Sequence, residues 1–444
     1  MQKLIHSRTR IEDLGKPRIV VIGGGFGGLE LVKALKGVNA QVVLFDKYNH
    51  HTFQPLLYQV ATSGLETSSI IFPFRKKFAA HKDFYFRMGE VTRILPEENC
   101  IETSIGTVKY DYLVIATGAS TNYFGNKNIM QQSYPLKTIE DAIDLRNQII
   151  KNFELALLTD DKALMNSLID FVIVGGGPTG VELAGSLAEL KKHVFPTDYQ
   201  ELELQEMDIH LVEGTGRLLN GMSEEAGEEA LHFLQDLGVQ VHLNTFVKDY
   251  TDGEVDLGDR KIPTKNLIWA AGVLGNPTEG LNPEVHTKNS RLKVDSYNRV
   301  QGYEDIFAIG DVAAMITEEL PQGHAMVAPP AMQQGILLAD NIQNLMHKKA
   351  LKAFEYQDQG SMATVGRNKA VVDLMVGKKS LKTQGTFAWL IWMFVHLMSL
   401  VGFRNRILVL ISWVWSYFSY DKSNRLIIGK NESKTSEAPV LVSR

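Results

Sequence analysis

The chain carries one glycine fingerprint twice, Val21-Ile22-Gly23-Gly24-Gly25-Phe26-Gly27-Gly28 and Val174-Gly175-Gly176-Gly177-Pro178-Thr179-Gly180. Each copy follows a run of β-branched and apolar residues, Ile19–Ile22 and Phe171–Val174, and opens into a helix-like segment. That context gives the pattern its meaning. The first glycine allows a tight turn, the second lets backbone approach a pyrophosphate, and the third lets helix and strand pack closely, so an anion meets the positive end of a helix. Both copies run on to an acid at the end of a second apolar strand, Asp46 after Gln41–Phe45 and Glu213 after Ile209–Val212. An acid there accepts hydrogen bonds from ribose hydroxyls and repels a 2′-phosphate, so Glu213 favours NADH over NADPH. A polar stretch from Lys191 to Met207 lengthens the spacing in the second copy.

Two such units need two domains, and 444 residues supply them. Each unit has an exit strand, Tyr112–Ile115 into Ala116-Thr117-Gly118 and Leu267–Trp269 into Ala270-Ala271-Gly272; Ile306-Phe307-Ala308-Ile309-Gly310-Asp311 follows the second. The order fingerprint, Ala-Thr-Gly, fingerprint, Ala-Gly, Ile-Gly-Asp is that of flavoproteins binding FAD and NAD(P)H in tandem. The expected fold class is therefore α/β, with two Rossmann-type dinucleotide-binding domains, the FAD domain split around the NADH domain. The boundaries read as 18–165 and 296–355 for the FAD domain, 166–295 for the NADH domain and 356–444 for a C-terminal region. Asp311 either reaches a ribityl chain or caps a turn. Between the units, Asp141, Asp144, Arg146 and Lys151 are spaced as the solvated face of a helix.

Composition removes several alternatives. A net charge of −5 gives no reason to expect nucleic-acid binding. The single cysteine, Cys100, excludes a disulfide framework and any dithiol pair within the chain, and with them disulfide reduction and cysteine-dependent sulfide oxidation. Its expected role is structural. No metal site is expected. Met1–Lys16 lacks the apolar core of a secretory signal and holds Glu12 and Asp13, which points to a cytoplasmic catalytic body.

The C-terminal region holds two apolar runs, Phe387–Val401 and Ile407–Phe418, joined by the basic turn Gly402-Phe403-Arg404-Asn405-Arg406. Each is shorter than the roughly 20 residues a spanning helix needs. Four of the five tryptophans lie here, a residue that prefers the headgroup boundary. A helical pair dipping into one leaflet is the preferred reading; a buried hairpin or a dimer interface is the alternative.

These residues resemble the type II NADH dehydrogenases, single-chain, non-proton-pumping NADH:quinone oxidoreductases of respiratory chains. The most specific likeness is His51-Thr52-Phe53-Gln54-Pro55-Leu56-Leu57-Tyr58-Gln59-Val60-Ala61, with the tail Gly402–Arg406. The resemblance implies FAD contacts at Gly23, Gly25, Phe26, Gly27, Gly28, Asp46, Ala116, Gly118, Asp311 and Ala331, and NADH contacts at Gly175, Gly177, Thr179, Gly180, Glu182, Glu213 and Gly272. It implies a quinone partner, contact with membrane lipids as a peripheral or monotopic protein on the cytoplasmic face of the inner (plasma) membrane, and an open question of homodimerisation. The family's quinone segment, Ala-Gln-x-Ala-x-Gln, corresponds here to Ala328-Pro329-Pro330-Ala331-Met332-Gln333, so Gln333 is kept and Pro329 replaces the other glutamine. Proline has no amide side chain.

The implied reaction is hydride transfer from NADH to FAD and two-electron delivery to quinone. Glu182 is the candidate proton carrier, or a carboxylate that simply suits the first turn of a helix. His51 is a second candidate, against a core-satisfied or solvated histidine for it and for His50. The rival functions are a soluble NADH-dependent flavin reductase serving a protein electron carrier, which needs no tryptophan-rich tail, and a regulatory NADH-sensing flavoprotein.

Overall fold

The computed structural model describes residues 9–376 and 379–429. Part of the Met1–Lys16 segment and the end of the 356–444 region lie outside the described residues. In chain order the elements used below are β1 (Arg18–Ile22), α1 (Phe26–Ala34), β2 (Gln41–Asp46), β3 (Phe84–Met88), β4 (Tyr112–Ile115), β5 (Tyr134–Pro135), α2 (Ile139–Ala156), β6 (Phe171–Val174) and α3 (Pro178–His193). Then come β7 (Ile209–Val212), β8 (Gln240–His242), β9 (Asn266–Trp269), β10 (Ile306–Ala308), α4 (Ala328–Met346), β11 (Gly360–Gly366), β12 (Lys369–Val376), β13 (Lys379–Gln384), α5 (Gly385–Ser399) and α6 (Phe403–Ser419). The fold is the doubly wound α/β type read from the two fingerprints.

The chain forms two compact units. The first comprises residues up to Thr52, Ile71–Ser120 and Val273–Asp358. Its sheet is parallel throughout, in the order β10-β4-β1-β2-β3, with Val21 opposite Leu44 on one side and Val114 on the other. Ile19, Val20, Val21, Val42, Val43 and Leu44 are buried without exception, as expected for a parallel strand covered on both faces.

The second unit comprises Phe53–Ile70, Thr121–Gly272 and the chain from Gln359 onward. Its sheet repeats the plan in the order β5-β9-β6-β7-β8, again parallel. Three antiparallel strands, β11-β12-β13, follow and lead into α5 and α6. Gly185, in the middle of α3, faces β11 so closely that a Cβ there would lie 1.6 Å from the Val365 carbonyl oxygen.

Two readings of the connection and tail need correction. Helix α2 starts with a capping box between Thr138 and Asp141, but Arg146 is buried, together with Asn147, Gln148 and Asn152. Their partners are distant in sequence: the Asn147 amide exchanges hydrogen bonds of 2.7 and 3.1 Å with the backbone of Ile428, and Asn152 Nδ2 donates to Asn266 Oδ1 at 2.8 Å. The basic residues of the tail do not form a turn either. Helix α6 begins at Phe403, so Arg404 and Arg406 lie in its first turn, and Arg406 Nε donates to the Leu400 carbonyl at 3.0 Å.

Candidate functional site

In the first unit, the loop after β1 is compressed wherever glycine was required and open where an anion would enter. A Cβ on Gly23 (φ +99°) would lie 2.3 Å from the Ala116 carbonyl oxygen, and one on Gly28 would lie 2.0 Å from that of Gly23. Nothing stands within 4 Å of a Cβ on Gly25, the N-cap of α1, which has no side-chain cap. Free helix N–H groups facing open space form an anion cradle. Asp46 ends β2 with its carboxylate accepting from Gly24 N at 2.7 Å and Tyr48 N at 2.8 Å. Burial raises its pKa, opposed by those two bonds.

His51 stands against the same loop. Burial lowers its pKa to about 4, so the ring is neutral near pH 7, and Nδ1–H donates to the Gly24 carbonyl at 3.0 Å. That bond ties the ring to the fingerprint loop. Its Nε2 and the Thr117 hydroxyl are buried without hydrogen-bond partners among the described residues. A bound dinucleotide rich in hydroxyls and phosphates fits those vacant polar groups and the uncapped helix.

The start of α4 closes this loop from the far side of the sequence. A Cβ on Gly27 would lie 3.1 Å from the Ala331 carbonyl oxygen, and Gly310 N donates to Gln334 Oε1 at 2.7 Å. Asp311 follows at that turn and is half-buried. Pro329 occupies the first turn of α4, where helix N–H groups have no intrahelical partner, so proline costs the helix nothing there. Gln333 is not a free amide: its Nε2 donates to the Gln357 carbonyl at 2.9 Å and its Oε1 accepts from Gln357 N at 3.0 Å.

In the second unit the same construction recurs. A Cβ on Gly175 (φ +114°) would lie 2.7 Å from the Ala270 carbonyl oxygen, and one on Gly180 would lie 1.9 Å from that of Gly175. Gly177 caps α3 without a side-chain bond and with open space around it; Pro178 and Thr179 are exposed. The Glu213 carboxylate accepts from Gly176 N at 2.6 Å, Thr215 N at 2.8 Å and Thr215 Oγ1 at 2.7 Å. Gly272 (φ +73°) turns the chain at the end of β9's exit. This cradle also fits a dinucleotide.

Further along α3, Glu182, Ser186 and Glu189 share one face and line a cavity of about 100 Å³ with Tyr58, Trp392 and Lys422. Glu182 is buried, and its Oε1 accepts from Trp392 Nε1 at 3.2 Å and Thr364 N at 3.3 Å. Desolvation pushes its pKa up to about 8, against the two hydrogen bonds. It is therefore protonated at pH 7, and the helix-dipole explanation does not apply: it lies in the second turn of α3 and is held by the tail. Lys422 Nζ donates to Ser186 Oγ at 2.8 Å and is itself buried, which lowers its pKa.

The sequence missed Trp392, Thr364 and Lys422 because they reach the Glu182 cavity only through the fold. The four tail tryptophans differ in exposure. Trp392 is 1% exposed, Trp389 and Trp413 line the cavity, and only Trp415 among these four is exposed. The outward apolar face is made by Phe387, Leu390, Phe394, Phe403, Ile411, Trp415 and Phe418, the last 80% exposed. Among the described residues no helix is long and apolar enough to cross a membrane, and no group of acids, histidines or cysteines is arranged to hold a metal.

Comparison with known proteins now bears on these sites. A family model for pyridine nucleotide-disulphide oxidoreductases matches residues 17–335, and one for the NDH2 C-terminal domain matches residues 359–419. Two type II NADH:quinone oxidoreductases of Mycobacterium tuberculosis, Ndh and NdhA, are 33% and 35% identical, over 90% and 91% of this chain and 88% and 87% of theirs. The chain belongs to the type II NADH:quinone oxidoreductases. The fold agrees: a Plasmodium falciparum NDH2 solved in complex with NADH superposes with a TM-score of 0.84 at 22% identity, covering 93% of this chain and all of that one. A sulfide:quinone oxidoreductase from Aquifex aeolicus shares the fold at a TM-score of 0.71 and 19% identity, covering 90% of this chain and 95% of that one. The type II assignment suits a chain whose one cysteine, Cys100, is buried and whose thiol pKa is raised by that burial.

Proposed function

We propose that this type II enzyme binds FAD at the first cradle and NADH at the second, and reduces a membrane quinone without pumping protons. The FAD-side residues are Gly23, Gly25, Phe26, Gly27, Gly28, Asp46, Ala116, Gly118, Asp311 and Ala331; the NADH-side residues are Gly175, Gly177, Thr179, Gly180, Glu213 and Gly272. The chemistry FAD supplies when bound is two-electron exchange between nicotinamide and quinone. The protein's own contribution is to hold phosphates on helix N-termini, anchor each ribose on a carboxylate, and present a proton.

The observation that carries the quinone reading is the Glu182 cavity. A buried carboxyl, neutral at pH 7, is walled by Trp389, Trp392 and Trp413 of the two tail helices, and the outer faces of those helices are apolar and exposed. Reduction of a quinone to a quinol takes up two protons, and a neutral carboxyl beside a membrane-facing helix pair is suited to supply one. Association is peripheral: α5 and α6 lie in the lipid interface, with Arg404 of α6 among anionic headgroups. The working face is the cytoplasmic one, where NADH is present. In this reading Gln333 shapes the segment it clamps rather than binding quinone with a free amide.

The test uses detergent-purified protein. Its visible spectrum should be that of a flavin, NADH should bleach it, and a short-chain quinone should restore it. A bleached flavin that quinone leaves reduced would sink the proposal. A Phe394→Glu, Phe403→Glu, Phe418→Glu variant should stay soluble on vesicle sedimentation while NADH still bleaches it; sedimentation equal to the parent would remove the membrane role of the tail. The same variant separates this reading from a soluble reductase, whose activity in vesicles it would leave untouched.

A further inference from the structure

The loop following β8 presents an aromatic ring in an unusual setting. Phe246 is 70% exposed, and its ring lies on the backbone of Gly214, where a Cβ would stand 2.5 Å from Cε1. Single exposed apolar residues are ordinary. Gly214 makes this one different, because its φ is not in the left-handed region and the backbone does not call for glycine there. The nearest atoms a Cβ at Gly214 would meet are all those of this ring. One face of Phe246 is thus seated against backbone while the rest stays open to solvent.

The backbone under the ring is hydrogen-bonded to that of the ribose acid. Glu213 N donates to the His242 carbonyl at 2.9 Å, Asn244 N to the Thr215 carbonyl at 2.9 Å, and Thr245 N to the Glu213 carbonyl at 3.0 Å. The backbone that carries the ring is therefore held against the backbone at Glu213, in the loop that follows β7. In a doubly wound sheet the ligand lies beyond the carboxyl ends of the strands. A ribose held by Glu213 at the end of β7 carries its base one sugar-width away, toward the neighbouring strand. That strand is β8, whose outgoing loop carries Phe246.

We propose that Phe246 is the stacking surface for the adenine of NADH and so a specificity-determining residue of the second cradle. The proposal rests on the reading of that cradle as the NADH site. A pre-seated ring loses little freedom on binding, and stacking favours a purine base over a flexible or absent one. The contact involves no reacting atom, so it stabilises ground state and transition state alike and acts on KM rather than kcat.

The test titrates the flavin-loaded protein with ADP-ribose by calorimetry, which needs no turnover. Replacing Phe246→Ala should weaken ADP-ribose about tenfold, Phe246→Trp should retain it, and KM for NADH should rise with kcat unchanged. Gly214→Ala, which keeps the ring but pushes it off its seat, should weaken ADP-ribose as well. Phe124→Ala serves as control: that ring is also exposed but sits at Gly272, beyond β9, on the other side of β6, and ADP-ribose affinity should not move. Equal affinity for Phe246→Ala and the parent within twofold overturns the stacking role while leaving the NADH site in place. Absence of ADP-ribose binding to the parent overturns the site assignment itself.

Discussion

Helix α3 holds two sites of opposite character. Its N-terminus offers Gly177, Pro178 and Thr179 to solvent and binds, if anything, through backbone N–H groups that do not titrate. Just over a turn further on, it turns Glu182, Ser186 and Glu189 into a cavity closed by the tail. The helix field that favours an anion falls off within the first turn, so the second region has no such support and its carboxyl stays protonated instead. One helix thus separates holding a dinucleotide from holding a proton. The first function should be nearly indifferent to pH, the second strongly dependent on it.

The sharpest way to break that division is Glu182→Gln. Quinone-coupled turnover should fall by about 100-fold or more, the usual worth of a positioned proton donor, while ADP-ribose affinity stays within twofold. Parallel losses in both would mean the two regions are not separate. The sign of the pH effect follows from the raised pKa. The folded carboxyl keeps its proton up to about pH 8, whereas the unfolded one loses it near its ordinary value of 4.5. Between those values the folded state binds more protons, so stability falls as pH rises, by up to about 1.4 kcal/mol per unit. Turnover of the parent should fall above about pH 8, and denaturant titrations should show a stability slope that Glu182→Gln lacks.

Next in size is a change to the packing that keeps the cavity closed. Gly185→Ala would gain about 1 kcal/mol as a helix former in an open setting. Here the added Cβ would lie 1.6 Å from the Val365 carbonyl oxygen, so β11 must shift, and a net destabilisation of about 2 kcal/mol is expected from overpacking. The shift would also loosen the bond from Thr364 N to Glu182. A variant as stable as the parent by thermal unfolding would show that α3 and β11 are not the clamp described.

At the other end of α3, Glu213→Gln with Thr215→Arg should move the ratio of kcat/KM toward NADPH by about tenfold, since it removes a repulsive carboxylate and supplies a cation for the 2′-phosphate. The alkaline limb set by Glu182 should stay where it is. A moved limb, or an unmoved coenzyme preference, would each contradict the division.

The two regions also differ in how far they could be read from sequence. Both cradles are local: strand, glycines and acid lie within a few dozen residues, and the Cβ distances at Gly23, Gly28, Gly175 and Gly180 explain each glycine. The cavity is not local. Trp392 meets Glu182 across 210 residues and Lys422 meets Ser186 across 236, and no periodicity records such pairings. Tryptophan composition even pointed outward, toward a membrane belt, because an indole that donates to a buried carboxyl looks the same in sequence as one at a lipid boundary. The buried face of α2 escaped notice for the same reason, since Asn147 pairs with the backbone of Ile428, 281 residues away.

The finest test of the cavity is Trp392→Phe. The substitution keeps most of a buried ring but removes the Nε1–H that Glu182 Oε1 accepts at 3.2 Å. That bond favours the ionised carboxylate and so lowers the pKa, against the larger effect of burial. Without it the pKa rises further, by about half a unit to one unit for one hydrogen bond. The alkaline limb of quinone-coupled turnover should therefore move to higher pH, while bleaching of the flavin by NADH keeps its rate. A limb that moved to lower pH would mean that the indole acts on Glu182 chiefly by excluding water rather than through its hydrogen bond.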